Sequence, residues 1–81
     1  MAGVCKFVNA SDDVVYGTII FGNGRANFTL QSRGSEYETQ VEPNTPFCWS
    51  KEGICNDCDG HLRAQPGTTM AIGHYADNGC L

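Results

Sequence analysis

The stretch "VVYGTIIFGNGRANFTL", residues 14–30, decides the fold class of this 81-residue chain. Its first half is apolar on both faces and rich in β-branched residues, which is typical of a central β-strand. The segment Gly22-Asn23-Gly24 then supplies residues that tolerate positive φ, and "ANFTL" (26–30) resumes the strand pattern. The stretch therefore predicts two antiparallel strands joined by a tight turn, with Arg25 beside that turn.

Further strands follow in both directions from this hairpin. In "EYETQVE" (36–42), Tyr37, Thr39 and Val41 alternate with acidic and amide side chains, which indicates a half-buried strand with one solvated face. Strand character also marks "VCKFVN", "FCWS", "HLRAQ" and "TTMAIGHY", with turn residues between them. About seven short strands at this spacing predict one all-β domain over residues 1–81, a small antiparallel β-sandwich or barrel.

Alternation along the strands also predicts which side chains form the core. The expected core residues are Phe7, Tyr16, Ile20, Phe28, Leu30, Tyr37, Val41, Phe47, Trp49, Leu62, Met70 and Ile72. Because successive side chains of a strand point to opposite faces, an error of one residue in the alternation exchanges the buried and exposed sets.

Five cysteines, Cys5, Cys48, Cys55, Cys58 and Cys80, bear on how so short a chain is stabilised. A domain of this size buries only about 60–65% of the surface of its unfolded chain, so small domains commonly add disulfides or a metal. We expect a Cys5–Cys80 disulfide between the two ends and a second from Cys48 to Cys55 or Cys58, with one thiol left over. Disulfides are typical of oxidising compartments, so we expect a secreted or otherwise extracytoplasmic protein.

Two triplets, Asn9-Ala-Ser11 and Asn27-Phe-Thr29, match the acceptor pattern for N-glycosylation. Both fall at strand edges or at exposed positions of the expected alternation. They agree with export, although the pattern is too common to establish it.

The cysteine-rich segment 48–61 has an alternative interpretation as a zinc site. Cys48, Cys55, Cys58 and His61 are spaced C-x6-C-x2-C-x2-H, and thiolate with imidazole is the donor set that tetrahedral zinc prefers. Cys80 could replace His61 as the fourth ligand. A structural zinc site usually has two cysteine knuckles, and here there is one, so no cofactor is expected. The alternative is a cytoplasmic domain that binds zinc through this segment.

Charge and hydropathy exclude two classes of partner. The chain has a formal net charge of −4, and its five basic residues are scattered along the sequence. Nucleic-acid binding needs clustered Lys and Arg, so DNA and RNA are not expected as partners. No apolar run approaches the roughly 20 residues of a transmembrane helix, so membrane insertion is not expected either.

No motif with catalytic spacing is present. A nucleophile pair of Cys48 with His74 would need a cleft that excludes water, and so small a sandwich has little room for one. We therefore expect a binding protein and not an enzyme. Arg25, Tyr75 and Trp49 are the candidate contact residues, because Tyr, Trp and Arg dominate interface hot spots, although core packing is the stronger expectation for Trp49. The expected partner is a protein or a glycan, and inhibition of a secreted hydrolase is one form of such a function. An exposed edge strand could also pair two copies into a homodimer.

The closing stretch "PGTTMAIGHY", followed by a cysteine and a final leucine, resembles the last strand of the tendamistat-type α-amylase inhibitors. Those are small secreted β-sandwiches with two disulfides. The resemblance covers the last 16 residues, and the family's inhibitory Trp-Arg-Tyr triplet has no counterpart, since Trp49 is followed by Ser50 and Lys51. It therefore supports the architecture and transfers no site residues.

Overall fold

A computed structural model of the chain describes residues 1–53, 58, 60 and 62–74. These residues form seven strands, and none of them is helical, so no helix among them could cross a membrane. The all-β prediction is confirmed. The strands are β1 Gly3–Asn9, β2 Val15–Phe21, β3 Gly24–Leu30, β4 Glu36–Val41, β5 Thr45–Ser50, β6 Leu62–Ala64 and β7 Thr69–Ile72.

The strands form two packed sheets, which makes the fold a sandwich. One sheet has the order β4-β1-β7 and the other the order β3-β2-β5-β6. The expected antiparallel arrangement holds for four strand pairs, but β1 and β7 run parallel. After β6 the chain crosses from the four-stranded sheet to the three-stranded sheet, where β7 lies beside β1.

The predicted hairpin is present between β2 and β3. Phe21 lies opposite Gly24, which leaves Gly22 and Asn23 as a two-residue loop. Of these turn residues, Gly24 alone adopts a positive φ, at 152°. Glycine is the residue that reaches this region without steric cost, so it ends the turn and begins β3.

Aromatic rings fill the space between the two sheets. The ring of Phe7 lies 5.1 Å from those of Phe28 and Phe47, and the ring of Tyr37 stacks on Phe28 at 4.6 Å. Phe7 comes from one sheet and Phe28 and Phe47 from the other, so these contacts join the sheets directly. The buried apolar residues are Cys5, Phe7, Val15, Ile19, Phe28, Leu30, Val41, Phe47, Cys48, Trp49, Cys58, Ala64 and Ile72.

The predicted core was wrong on β2, where the two faces are exchanged. Val15 and Ile19 are fully buried between the sheets, while Tyr16 and Ile20 point to the outer side and are half-buried. Both faces of this strand are apolar, so alternation could not distinguish the inner from the outer face. The outer side tolerates Ile20 because that side chain packs against Cys48 and Cys58.

Asn9 joins the end of β1 to the start of β2 through a buried hydrogen-bond network. Its Nδ2 donates to the carbonyl oxygens of Asp13 at 2.7 Å and Leu30 at 3.1 Å, and its Oδ1 accepts from the N–H and hydroxyl of Ser11. Asn9 is 0% exposed. The expectation of an accessible glycan acceptor at Asn9 was therefore wrong, because the amide is used internally.

Candidate binding face

The outer side of the four-stranded sheet carries the exposed Arg25 together with Cys48 and Cys58. We call this surface the disulfide face. Its strand residues form cross-strand rows that follow from the register of β2 with β3 and β5. They are Arg25, Asn27 and Thr29 on β3, Tyr16, Thr18 and Ile20 on β2, Pro46, Cys48 and Ser50 on β5, and Arg63 on β6.

A disulfide between Cys48 and Cys58 covers the centre of this face. The two Cα atoms are 5.8 Å apart, within the usual range for a disulfide, and the sequence separation is 10. Cys48 is 0% exposed although it points outward, and Cys58 and Ile20 pack against it. The prediction that Cys48 pairs with Cys55 or Cys58 is confirmed for Cys58.

Gly60 shows how closely the segment that carries Cys58 approaches the sheet. A Cβ built on Gly60 would lie 2.6 Å from the Cβ of Pro46 and 3.5 Å from the Cδ1 of Ile20, and its φ is +70°. Only glycine combines this conformation with so close an approach. The backbone at residue 60 is therefore packed onto β2 and β5.

The remaining part of the disulfide face lies towards β3 and is open to solvent. Arg25, Asn27 and Thr29 are exposed at every second position, and Tyr16 is half-buried beside them, opposite Thr29. The hydroxyl of Thr18, which is 1% exposed, donates to the Oδ1 of Asn27 at 2.9 Å. The open part thus presents one phenol and a row of polar side chains on paired strands.

Among the described strand residues, charge is distributed unequally between the outer faces of the two sheets. Arg25 and Arg63 are the charged members of the disulfide face as defined above, one on each terminal strand of the sheet. These strands are three spacings apart, about 14 Å. The three-stranded sheet instead carries Glu36 and Glu38, which lie 3.5 and 3.7 Å from Lys6. A net-acidic molecule therefore has two guanidinium groups on one surface.

The three predicted contact residues differ in where the structure places them. Arg25 is exposed on the disulfide face, as its position beside the turn suggested. Trp49 is 3% exposed and lies in the core, so it offers no surface to a partner, and its expected core placement is the one observed. Tyr75 lies outside the described residues. Asn27, Thr29 and Arg63 were not predicted as contact residues, although the exposed alternation of β3 could have indicated the first two.

The predicted terminal disulfide is not formed. Cys5 carries a free thiol and is fully buried, with its Sγ 3.7 Å from the Oγ1 of Thr68. Cys80 lies outside the described residues. A disulfide that closes a long loop gains more stability from chain entropy. Loop length alone, however, does not bring the two sulfur atoms together.

The alternative zinc site loses two of its ligands to the disulfide. Cys48 and Cys58 are bonded to each other, so neither sulfur is available as a thiolate. Cys55, His61 and Cys80 lie outside the described residues. Within the described part of the chain, no group of three or more His, Cys, Asp or Glu side chains is placed to hold a metal ion. The Cys48–His74 pair likewise lacks a free thiol.

Comparison with known proteins gives no relative: no family model, no curated protein and no solved structure matches this chain.

Proposed function

We propose that this protein is an extracytoplasmic binding module, not an enzyme, and that it recognises an acidic patch on a protein partner through the disulfide face. The observation that carries this proposal is the pair Arg25 and Arg63 at the two edges of that face, with Tyr16 and the exposed polar side chains of β3 nearby. Arg and Tyr are the residue types that most often dominate interface hot spots.

The Cys48–Cys58 disulfide supports the location. Disulfides persist in secreted and cell-surface proteins and are rare in the reducing cytoplasm. This bond also rigidifies the face, because it ties the segment around Cys58 to the middle of β5. A surface that is ordered before binding loses less conformational entropy when a partner binds.

A protein partner is favoured over a glycan by the spacing of the charges. Guanidinium groups on strands about 14 Å apart suit carboxylates that are spread over a protein surface. A glycan-binding site is more often a compact group of polar and aromatic side chains around one sugar, which this open face does not resemble. Inhibition of a secreted hydrolase is one form of this function, and attachment to a surface protein is another.

The proposal is tested with immobilised protein and two panels, one of secreted proteins that includes hydrolases and one of glycans. The variant Arg25→Gln/Arg63→Gln should weaken binding of the partner about tenfold or more, which is a loss of at least roughly 1.4 kcal/mol of binding free energy. Thr69→Glu/Ala71→Glu changes the net charge by the same amount on exposed positions of the other sheet and should leave binding unchanged.

Each other outcome changes a different part of the proposal. Equal weakening by the two variants would mean that net charge, not the disulfide face, controls binding. Binding confined to the glycan panel would replace the protein partner with a carbohydrate. A hydrolase that turns out to process this chain as a substrate, without being inhibited, would remove the inhibitor form.

A further inference from the structure

The strand β3 is the least protected sheet edge in the described part of the chain. It is the terminal strand of the four-stranded sheet and is seven residues long, from Gly24 to Leu30, without proline or an acidic residue. The other terminal strands are shorter, or they carry charges of one sign: β6 has three residues, β7 has four, and β4 carries Glu36 and Glu38. Long edges with a single charge and no proline invite pairing with another strand.

The register of the hairpin identifies which backbone groups of β3 point outward. Phe21 and Gly24 flank a two-residue loop, so they form a hydrogen-bonded pair, and such pairs alternate with non-bonded ones along the ladder. Gly24, Ala26 and Phe28 therefore bond to β2. The N–H and C=O groups of Asn27 and Thr29 point away from β2, at the open edge of the sheet.

We propose that two copies of this chain associate by antiparallel pairing of β3 with β3, with the two-fold axis at Asn27. This register overlaps all seven residues of the strand. It places side chains of the outer sheet face opposite side chains of the same face in the second copy. It places Asn27 opposite Asn27 of the second copy, and Thr29 opposite Arg25 of the second copy. The contact is isologous, which is the commonest arrangement in homodimers.

Charge favours a second copy at β3 and not at β4. At β3, Arg25 meets the neutral Thr29, so no like charges face each other. Self-pairing of β4 with the two-fold axis at Glu38 would place Glu38 opposite Glu38 of the second copy, and like charges directly opposite each other destabilise a strand pair. The β4 edge is thus protected against the contact that the β3 edge permits.

The dimer would be weak and would depend on salt. An edge contact of one strand buries less surface than a standard stable interface, so the association should be reversible. Each chain has a net charge of −4, so the copies repel each other, and added salt should screen this repulsion and favour the dimer. Association would also align two disulfide faces on one side of a continuous sheet. That last consequence rests on the proposed function, whereas the dimer itself does not.

Sedimentation equilibrium of the full chain tests the association. The mean mass should rise from 8.8 kDa towards twice that value as the concentration increases into the millimolar range. Asn27→Lys places two cations opposite each other and should raise the dissociation constant about tenfold or more. Gln40→Lys makes the same charge change on β4 and should leave it unchanged. A wild-type protein that remains at 8.8 kDa at every concentration and salt level would overturn the proposal.

Two further variants keep this test independent of the Asn27 side chain, which accepts a hydrogen bond from Thr18. Thr29→Lys leaves that bond intact, places a cation opposite Arg25 of the second copy, and should also weaken the dimer about tenfold or more. Asn27→Cys should form a disulfide-linked dimer, because directly opposed Cα atoms of a hydrogen-bonded pair are about 5.5 Å apart. Thr29→Cys should not. Equal crosslinking of both variants, or weakening by Gln40→Lys alone, would overturn the register proposed here.

Discussion

The ring of Phe28 on β3 occupies the position where a side chain on Gly17 of β2 would lie. The two residues are cross-strand partners, and a Cβ built on Gly17 would be 2.1 Å from the Cζ of Phe28. Phe28 is 6% exposed and also contacts the rings of Phe7 and Tyr37. Gly17 does not adopt a positive φ, so this glycine is required for the space that it leaves and not for its conformation.

Gly17→Ala should therefore lower the free energy of unfolding by about 3 kcal/mol, because the ring of Phe28 must leave its contacts to admit a methyl group. Urea denaturation measures the change in midpoint. Gly22→Ala is the matched control, since nothing lies within 4 Å of its Cβ position, and it should change stability by less than about 0.5 kcal/mol. Similar losses in the two variants would show that the close approach at Gly17 is not the cause.

Reduction of the Cys48–Cys58 disulfide, the one disulfide among the described residues, should lower the stability of the protein. With a sequence separation of 10, the chain-entropy model gives about 2.7 kcal/mol for this loop. The effect of reductant on the free energy of unfolding should be larger by about this amount in the wild type than in Cys48→Ala/Cys58→Ala.

Cys5→Ala provides the control for that measurement. It should retain the full sensitivity to reductant, because Cys5 is a buried free thiol. Loss of the sensitivity in Cys5→Ala would instead mean that Cys5 forms a disulfide in solution.

Asn9→Ala, in the connection between β1 and β2, should lower the free energy of unfolding by about 2–4 kcal/mol. It removes the buried hydrogen bonds to the carbonyl of Leu30 and from the N–H of Ser11, together with the bond to the carbonyl of Asp13. Thermal unfolding measures the loss. Asn23→Ala, at an exposed position of the β2–β3 turn, should change the midpoint little. A small effect at Asn9 would mean that water replaces its hydrogen bonds.

Lys6 should contribute little to stability, and its contribution should depend on salt. Its Nζ lies 3.5 Å from Glu36 and 3.7 Å from Glu38, and all three side chains are partly exposed. A double-mutant cycle with Lys6→Met and Glu38→Gln should give a coupling of less than about 1 kcal/mol that falls towards zero in 1 M salt. A coupling that persists in high salt would contradict a screened surface ion pair.

Much of the fold could be predicted from the sequence because its signals are local. The period-two alternation of 36–42, the turn at Gly22–Gly24 and the spacing of the turn residues predicted the strands and the β2–β3 hairpin. They also placed Phe7, Phe28, Phe47 and Trp49 in the core. Exposure of Arg25 followed from its position beside the turn. Each of these properties depends on neighbours within a few residues.

The remaining features depend on contacts between distant residues, which local patterns do not specify. β2 is apolar on both faces, and which face is outside depends on tertiary packing, such as that of Ile20 against the Cys48–Cys58 disulfide. The parallel pairing of β1 with β7 and the free thiol of Cys5 depend on where the two sheets meet. The sequence by itself therefore determined that the chain forms short β-strands, because backbone propensity and turn chemistry are local. Only the tertiary structure decided which face each strand buries and which surface is left for a partner, because burial is a property of the whole packed chain.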